Sequence, residues 1–392
     1  MVNSRSGLKR NASRRSFLRT GTLGVGAAVG TDLLSGRLAG SQDGARLDRG
    51  DIAILTFLSA LEQVEADLWI QYAELGGAVT QGPTFSPIDL SFKTGLAPNY
   101  IAALEVLDGD MPQYIADNTD DEISHHRFLN NYLVSKGAQP IDLSHFAVLP
   151  PSQVTGVPQN GRLTNLKQLT VETKWWTQYR SATANPDFGG TFENAVPDLA
   201  RGQHPAIPVS DADLVLNSDG SIPNHLQAIA NTAGFHFAFI EQGGSSLYAA
   251  LAQKASNLEV LRLLLSIGGS EVMHFQTWHD KAGNAPNITD GDLTFPNLNN
   301  AVDPNTGATG SNIADEFQTN LIMPEPTVFL DPKLGPVAII RPTSMQQGGA
   351  VASVVSFAND GLFLDPATSK NTGIVDVLME LAEAADAAKR KG

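Results

Sequence analysis

Four segments of this chain repeat apolar residues at spacings of three and four, and each of them carries a glutamate on its apolar stripe. A carboxylate buried beside leucine and tyrosine is costly unless a cation or several donors compensate it. Four such carboxylates therefore constrain the fold more tightly than any other feature. The first segment runs from about Asp51 to Gly76, with Glu62 and Glu65 on the stripe of Leu55, Leu58, Trp69 and Tyr72. The second runs from about Asp110 to Lys136, with Asp110 as its cap, Pro112 in its first turn and Gly137 behind it. Its stripe reads Ile115, Glu122, His125, Leu129, Tyr132. The third spans about Asn224 to Lys254, with Phe237, Glu241 and Tyr248 in line and a local weak point at Gly243 and Gly244. The fourth opens with a Ser256-x-x-Glu259 capping box and carries Val260, Leu264, Ile267, Glu271, His274 and Trp278 up to Gly283.

Two of these stripes hold the same pair, Glu122/His125 and Glu271/His274, and residues three apart on a helix share a face. With 14 Glu and 8 His in 392 residues, chance gives about 0.3 such pairs, so two on apolar stripes are a signal. Few Lys or Arg share the stripes, which leaves metal ions as the counter-charge. One Glu from each of two helices plus a Glu-x-x-His from each of the other two is the ligand pattern of two-metal carboxylate bundles. The expected ligands are Glu122, His125, Glu241, Glu271, His274 and one of Glu62 and Glu65. Glu62 is favoured because Leu61 precedes it as Ile240 precedes Glu241, with the other Glu as a supporting or terminal ligand. Tyr72 and Tyr248 are expected as supporting donors, while His126, His236 and His279 read as surface or supporting residues. Carboxylate and imidazole donors suit two iron or manganese ions, with zinc also accommodated.

The helices come in two pairs separated by about 87 residues, Gly137 to Pro223, rich in Pro, Asn and Asp. So long a crossover suits an all-α bundle whose middle helices run parallel. It is expected to hold one aromatic helix near Asn165 to Ala182, whose Trp175-Trp176 reads as core packing. Another short helix is expected near Tyr100 to Leu107. After Gly283 the composition turns to Pro, Asn and Gly, giving an irregular extension over 284–392 with strand-like runs at Val337–Ile340 and Val351–Phe357 and a closing helix at Ile374–Lys389.

The net charge of -15 argues against nucleic acid or an anionic membrane as partner, since both are bound through clustered Lys and Arg. Basic residues concentrate instead in the first 40, where Ser13-Arg14-Arg15-Ser16-Phe17-Leu18 precedes a mild Gly-rich apolar run. That run falls short of the roughly 20 apolar residues of a membrane span, and the segment resembles a twin-arginine export signal, implying the translocation machinery as a partner and a periplasmic or secreted location. The absence of cysteine removes disulfides, thiolate metal sites and thiol nucleophiles. There is no His-Glu-x-x-His, Gly-x-Ser-x-Gly or phosphate-binding glycine loop.

On Leu61-Glu62-Gln63-Val64-Glu65-Ala66, Asp121-Glu122-Ile123-Ser124-His125, the Glu241 helix and Glu271-Val272-Met273-His274, the chain resembles the ferritin-like domain family, which includes secreted bacterial members, plant desiccation-related proteins and fungal stress-response proteins. The resemblance covers about Asp51 to Lys281, with 137–223 a poorly matched insertion, and implies a ferritin-like four-helix bundle at 51–283 with its metal ligands on those positions. The expected activity is that of a two-metal oxidoreductase handling dioxygen, peroxide or ferrous ion. The competing expectation is a stress or desiccation-related envelope scaffold with weak or no metal binding. The bulky crossover and tail favour a monomer or small oligomer over a storage cage.

Overall fold

The computed structural model describes residues 47–78, 93–179, 185, 188–298, 326–328, 330–339 and 349–391. The basic N-terminal segment lies outside them. Among the described residues the chain is mostly helical. Its long helices are α1 (Arg49–Gly76), α3 (Met111–Ser135), α5 (Asn224–Ala252) and α6 (Leu258–Ala282), with the short α2 (Pro98–Glu105) after α1. None of the described helices is long and apolar enough to cross a membrane.

The contacts along the helices give their directions. Ser59 reaches the His126 carbonyl, Thr119 donates to the Trp69 carbonyl at 3.1 Å, and Ala78 N donates to Pro112 O at 2.8 Å, so α1 and α3 are antiparallel. Tyr72 meets His236, Trp69 meets Glu241 and Glu62 meets Tyr248, so α5 also opposes α1. Consequently α3 and α5 run parallel, and the chain between them must return along the bundle. Phe237 packs on Trp278, and a side chain at Gly268 would meet Tyr248 at 2.8 Å, which makes α6 antiparallel to α5 and closely packed on it.

Helix ends follow local chemistry where a side chain is at hand. Asp48 accepts from Asp51 N at 2.8 Å to open α1, and Gly137 at φ 77° closes α3. Two expected caps differ. Asp110 precedes α3 without a side-chain cap bond. At α6 the cap is Asn257, which accepts from Glu259 N and Val260 N. Ser256 N and Asn257 N are taken by the Asp51 carboxylate at 2.9 and 3.0 Å. A long-range carboxylate has displaced the local Ser-x-x-Glu box.

In the returning segment the expected aromatic helix shrinks to α4 (Lys174–Gln178) among the described residues. The stretch before it is not helical because its backbone is paired at long range: Asn165 N to Leu362 O, Leu169 N to His204 O and Thr170 N to Asp360 O. Its Leu163, Leu166, Leu169, Val171, Trp175 and Trp176 are buried and join the bundle's core cluster. Arg162 and Glu74, both buried, form an ion pair at 2.6 Å that ties this segment to the last turn of α1.

Beyond α6, three small antiparallel pairs appear among the described residues: β1 (Ile288–Asp290) with β2 (Leu293–Phe295), β3 (Pro326–Val328) with β4 (Pro336–Ala338), and β5 (Leu364–Asp365) with β6 (Lys370–Asn371). The run expected as a strand at Val351–Phe357 is instead part of a helix, α7 (Gly349–Asn359). Its β-branched residues favour a strand locally. The Asp386 carboxylate, however, accepts from Ala350 N and Val351 N, capping a helix that buries Ala350, Val354 and Phe357 on one side. The closing helix α8 (Ile374–Asp386) buries Ile374, Leu378, Ala382 and Ala385 and packs on α1.

Just after α7, burial and then the nearby Glu172 carboxylate push Asp360 up to about 8. A carboxyl raised in the folded state weakens folding increasingly as pH climbs from its unfolded value to the folded one. Asp360→Asn is therefore expected to leave the melting temperature unchanged near pH 4 and to raise it progressively up to pH 8, as read by calorimetry. An equal shift at both pH values would exclude this origin.

Candidate metal centre

Midway along the bundle, α1, α3, α5 and α6 each direct glutamate inward, and Glu62, Glu122, Glu241 and Glu271 are all buried to within 1%. They form two groups whose ligand atoms lie within 4.8 Å of one another: Glu62, Glu122, His125 and Glu271 in one, and Glu122, Glu241, Glu271 and His274 in the other. Glu122 and Glu271 belong to both. His125 Nδ1 stands 3.2 Å from Glu62 Oε2, 3.2 Å from Glu122 Oε2 and 3.3 Å from Glu271 Oε1. His274 Nδ1 stands 3.1 Å from Glu122 Oε1 and 3.3 Å from Glu241 Oε2. Thus the two oxygens of Glu122 face different histidines.

The electrostatics show what this cluster can accommodate. Burial, reinforced by neighbouring carboxylates, drives Glu65 and Glu271 well above the ordinary range and raises Glu241. Burial likewise raises Glu62, to about 7, although His125 opposes it. At Glu122 burial also acts upward, but the two histidines reverse it and hold the group low. Burial would lower His125 and His274, yet the facing carboxylates raise both strongly. Among the described groups no Lys or Arg is paired with these glutamates, whose ion-pair partners are the two histidines. Apart from the histidine nitrogens facing them, Glu62 Oε2, Glu241 Oε2 and both Glu271 oxygens are buried without a hydrogen-bond partner among the described residues. Buried acceptors in this state call for a cation with several open coordination positions, and the oxygen and imidazole donors fit a hard or borderline divalent metal.

Around these groups sits a ring of donors. Trp69 Nε1 donates to Glu241 Oε1 at 3.0 Å. Asn118 Nδ2 donates to Glu122 Oε1 at 2.8 Å and Glu241 Oε1 at 3.0 Å, and its own oxygen accepts from Trp278 Nε1 at 2.7 Å. Tyr248 donates to Glu62 Oε1. Asp121 Oδ2 lies 3.0 Å from His274 Nε2, an outer carboxylate placed to fix the ring and to raise its basicity toward a metal. Sequence reasoning missed Asn118, Asp121 and the two tryptophans as polar partners. Asn118, four residues before Glu122 on its stripe, was the one visible signal.

Other expected residues fall elsewhere. Glu65 is buried but belongs to neither group. Tyr72 gives its hydroxyl to no ligand and pairs instead with His236 Nδ1 at 2.7 Å. His279 is buried among Trp175, Tyr179 and Phe275, and His126 is half-buried beside the site.

The two glycines expected to weaken the third helix do not interrupt α5. Gly244 has a positional reason: a Cβ there would overlap Glu271 Oε2. Gly244→Ala should therefore keep or raise the melting temperature, since alanine favours helix by up to about 1 kcal/mol, while displacing the Glu271 carboxylate and lowering bound metal. Retention of full metal content would show that Glu271 can move without consequence.

A sequence model of the ferritin-like domain matches residues 50–283. Neither a curated protein nor a solved structure matches the chain. The matched region spans α1 to α6 and every residue of the carboxylate–histidine cluster, and it exceeds half of the chain: the protein belongs to the ferritin-like domain family.

Proposed function

We propose that the cluster is a carboxylate-bridged two-metal centre, with Glu62 and His125 holding one ion, Glu241 and His274 holding the other, and Glu122 and Glu271 spanning both. The observation that carries this reading is the shared membership of Glu122 and Glu271 in two groups, each with its own histidine. Iron or manganese fits best, with zinc accepted by the same donors. When bound, such a pair supplies Lewis acidity and one-electron redox change for dioxygen, peroxide or ferrous ion.

The protein's own contribution is to hold charge and protons in place. Trp69 and Asn118 fix Glu241 and Glu122, Tyr248 fixes Glu62, and Asp121 orients His274. Glu65, buried beside these carboxylates, is pushed up by burial and by their charge, which favours its protonated form. In the wider reading, Arg14-Arg15 in the basic leader supports export by the twin-arginine machinery to the periplasm or beyond, where the activity serves stress protection.

Protein purified without added metal is expected to contain about two iron or manganese ions per chain, since a site of this type binds them as a pair. Reloading the stripped protein should release protons, because the facing carboxylates favour the protonated form of His125 and His274 and ligation needs the neutral one. Elemental analysis and pH-stat titration test this. Less than about one ion per chain would leave a non-catalytic envelope scaffold as the better account. Two bound ions without peroxide or ferrous turnover would limit the proposal to binding.

A further inference from the structure

The Trp69 indole, whose N–H is bound to Glu241, stacks on Trp278 with centroids 5.3 Å apart and planes 26° apart. Trp278 is itself joined to the cluster through Asn118 and meets Tyr114 edge-on at 6.2 Å. Tyr114 is only half-buried, and the Lys281 ammonium lies 5.8 Å from its ring. On its other side Trp69 meets Tyr72 at 5.7 Å. Contiguous rings thus lead from a metal-binding carboxylate to the surface. Packing alone accounts for the rings being apolar and buried. It does not account for both indole N–H groups being bound into the carboxylate network, nor for a base waiting at Tyr72.

That base is His236. It is 1% exposed, and burial lowers it to about 3, so it is a neutral imidazole at physiological pH. Tyr100, equally buried, offers a contrast because its hydroxyl donates to the Ala206 carbonyl, which cannot take a proton.

We propose that Tyr114, Trp278 and Trp69 carry single electrons between the surface and the centre, and that Tyr72 with His236 stores one oxidising equivalent beside that path. The role in peroxide chemistry rests on the two-metal reading. Peroxide takes up two electrons and two protons to become two waters. The path supplies such electrons singly, each leaving a one-electron reductant at the surface oxidised. In the storage step an electron passes from Tyr72 to a Trp69 radical cation, restoring the indole. The Tyr72 O–H bond breaks, its proton forms an N–H bond at His236 Nδ1, and a neutral phenoxyl radical remains beside an imidazolium, with charge conserved.

The full-length protein, stripped of metal, is oxidised by a flash-generated ruthenium(III) polypyridyl complex and freeze-quenched for electron paramagnetic resonance. The expected result is a phenoxyl signal carrying a hydrogen-bond shift from an imidazolium. It should be lost in Tyr72→Phe, kept in Tyr100→Phe and mostly lost in Trp278→Leu. His236→Gln should reduce its yield while near-ultraviolet dichroism stays native, a second reading should Tyr72→Phe fail to fold. A signal that survives Tyr72→Phe, sits on Tyr248, stays on an indole, or ignores Trp278→Leu overturns the path. This arm needs no metal, so a protein that binds none defeats the two-metal reading and leaves the path measured. In a second arm, manganese- or iron-loaded protein given hydrogen peroxide should yield the same phenoxyl signal. Its absence with metal bound overturns the coupling to the centre.

Discussion

Glu122→Gln is expected to remove both metal ions at once. The substitution keeps the side chain's volume and loses its charge and one acceptor. Of the four glutamates in the two groups it is the one held below the ordinary range, because His125 and His274 approach its separate oxygens at 3.2 and 3.1 Å. A carboxylate ionised under those conditions is the natural bridge. Losing an outer partner of a metal ligand costs about 10- to 100-fold in affinity, so losing a bridging ligand should exceed about 100-fold for each ion. Equilibrium dialysis with elemental analysis should find fewer than about one ion per chain where a paired site holds two. Glu65→Gln supplies the contrast: Glu65 shares the buried environment but lies in neither group, and its substitution should leave both ions bound. If Glu122→Gln kept two ions, the bridging assignment would fail. If Glu65→Gln lost them, Glu65 would have to be counted as a ligand.

Arg162→Met is expected to cause the largest loss of stability. Glu74 is 2% exposed and accepts from Arg162 at 2.8 and 2.6 Å. It also lies in the last turn of α1, where the helix dipole disfavours an anion. Removing one partner of a buried ion pair costs about 3–5 kcal/mol, because the remaining charge has no compensation. Spread over a folded unit of this size, that is about 4–7 °C in melting temperature. The double variant Glu74→Leu/Arg162→Met should recover most of the loss, since an apolar pair of similar volume is about neutral. Urea titrations of the two single variants and the double variant measure the coupling. A loss below about 1 kcal/mol in Arg162→Met would mean that water reaches Glu74 and that the pair behaves as a surface bridge.

The parts of the fold readable from sequence were those fixed within one element. α1, α3, α5 and α6 lie where the three-and-four spacing puts them, and Glu122/His125 and Glu271/His274 share a face because residues three apart on a helix must. Where local preference competed with a distant partner, sequence reasoning failed. Ser256 did not cap α6, because Asn257 accepts from Glu259 N while the distant Asp51 holds Ser256 N, the donor that the Glu259 side chain would have met. Val351–Phe357 did not form a strand, because Asp386 capped a helix there. The stretch from Asn165 to Val171 was kept from helix by backbone pairing with carbonyls up to about 200 residues away.

The same division runs through the candidate site. Sequence alone established that this chain must bury several carboxylates and two histidines on helical stripes, since hydrophobic periodicity and i,i+3 geometry are local properties of the backbone. It could not choose between Glu62 and Glu65, which share a face, nor see Asn118, Asp121, Trp69 and Trp278 as partners of the ligands. Tertiary structure shows where each of these side chains lies. The rotation of each helix about its own axis, set by packing against three others, brings Glu62 to His125 and leaves Glu65 outside both groups. The contact of Trp69 with Glu241 spans 172 residues, and no periodicity within a single helix encodes such a distance.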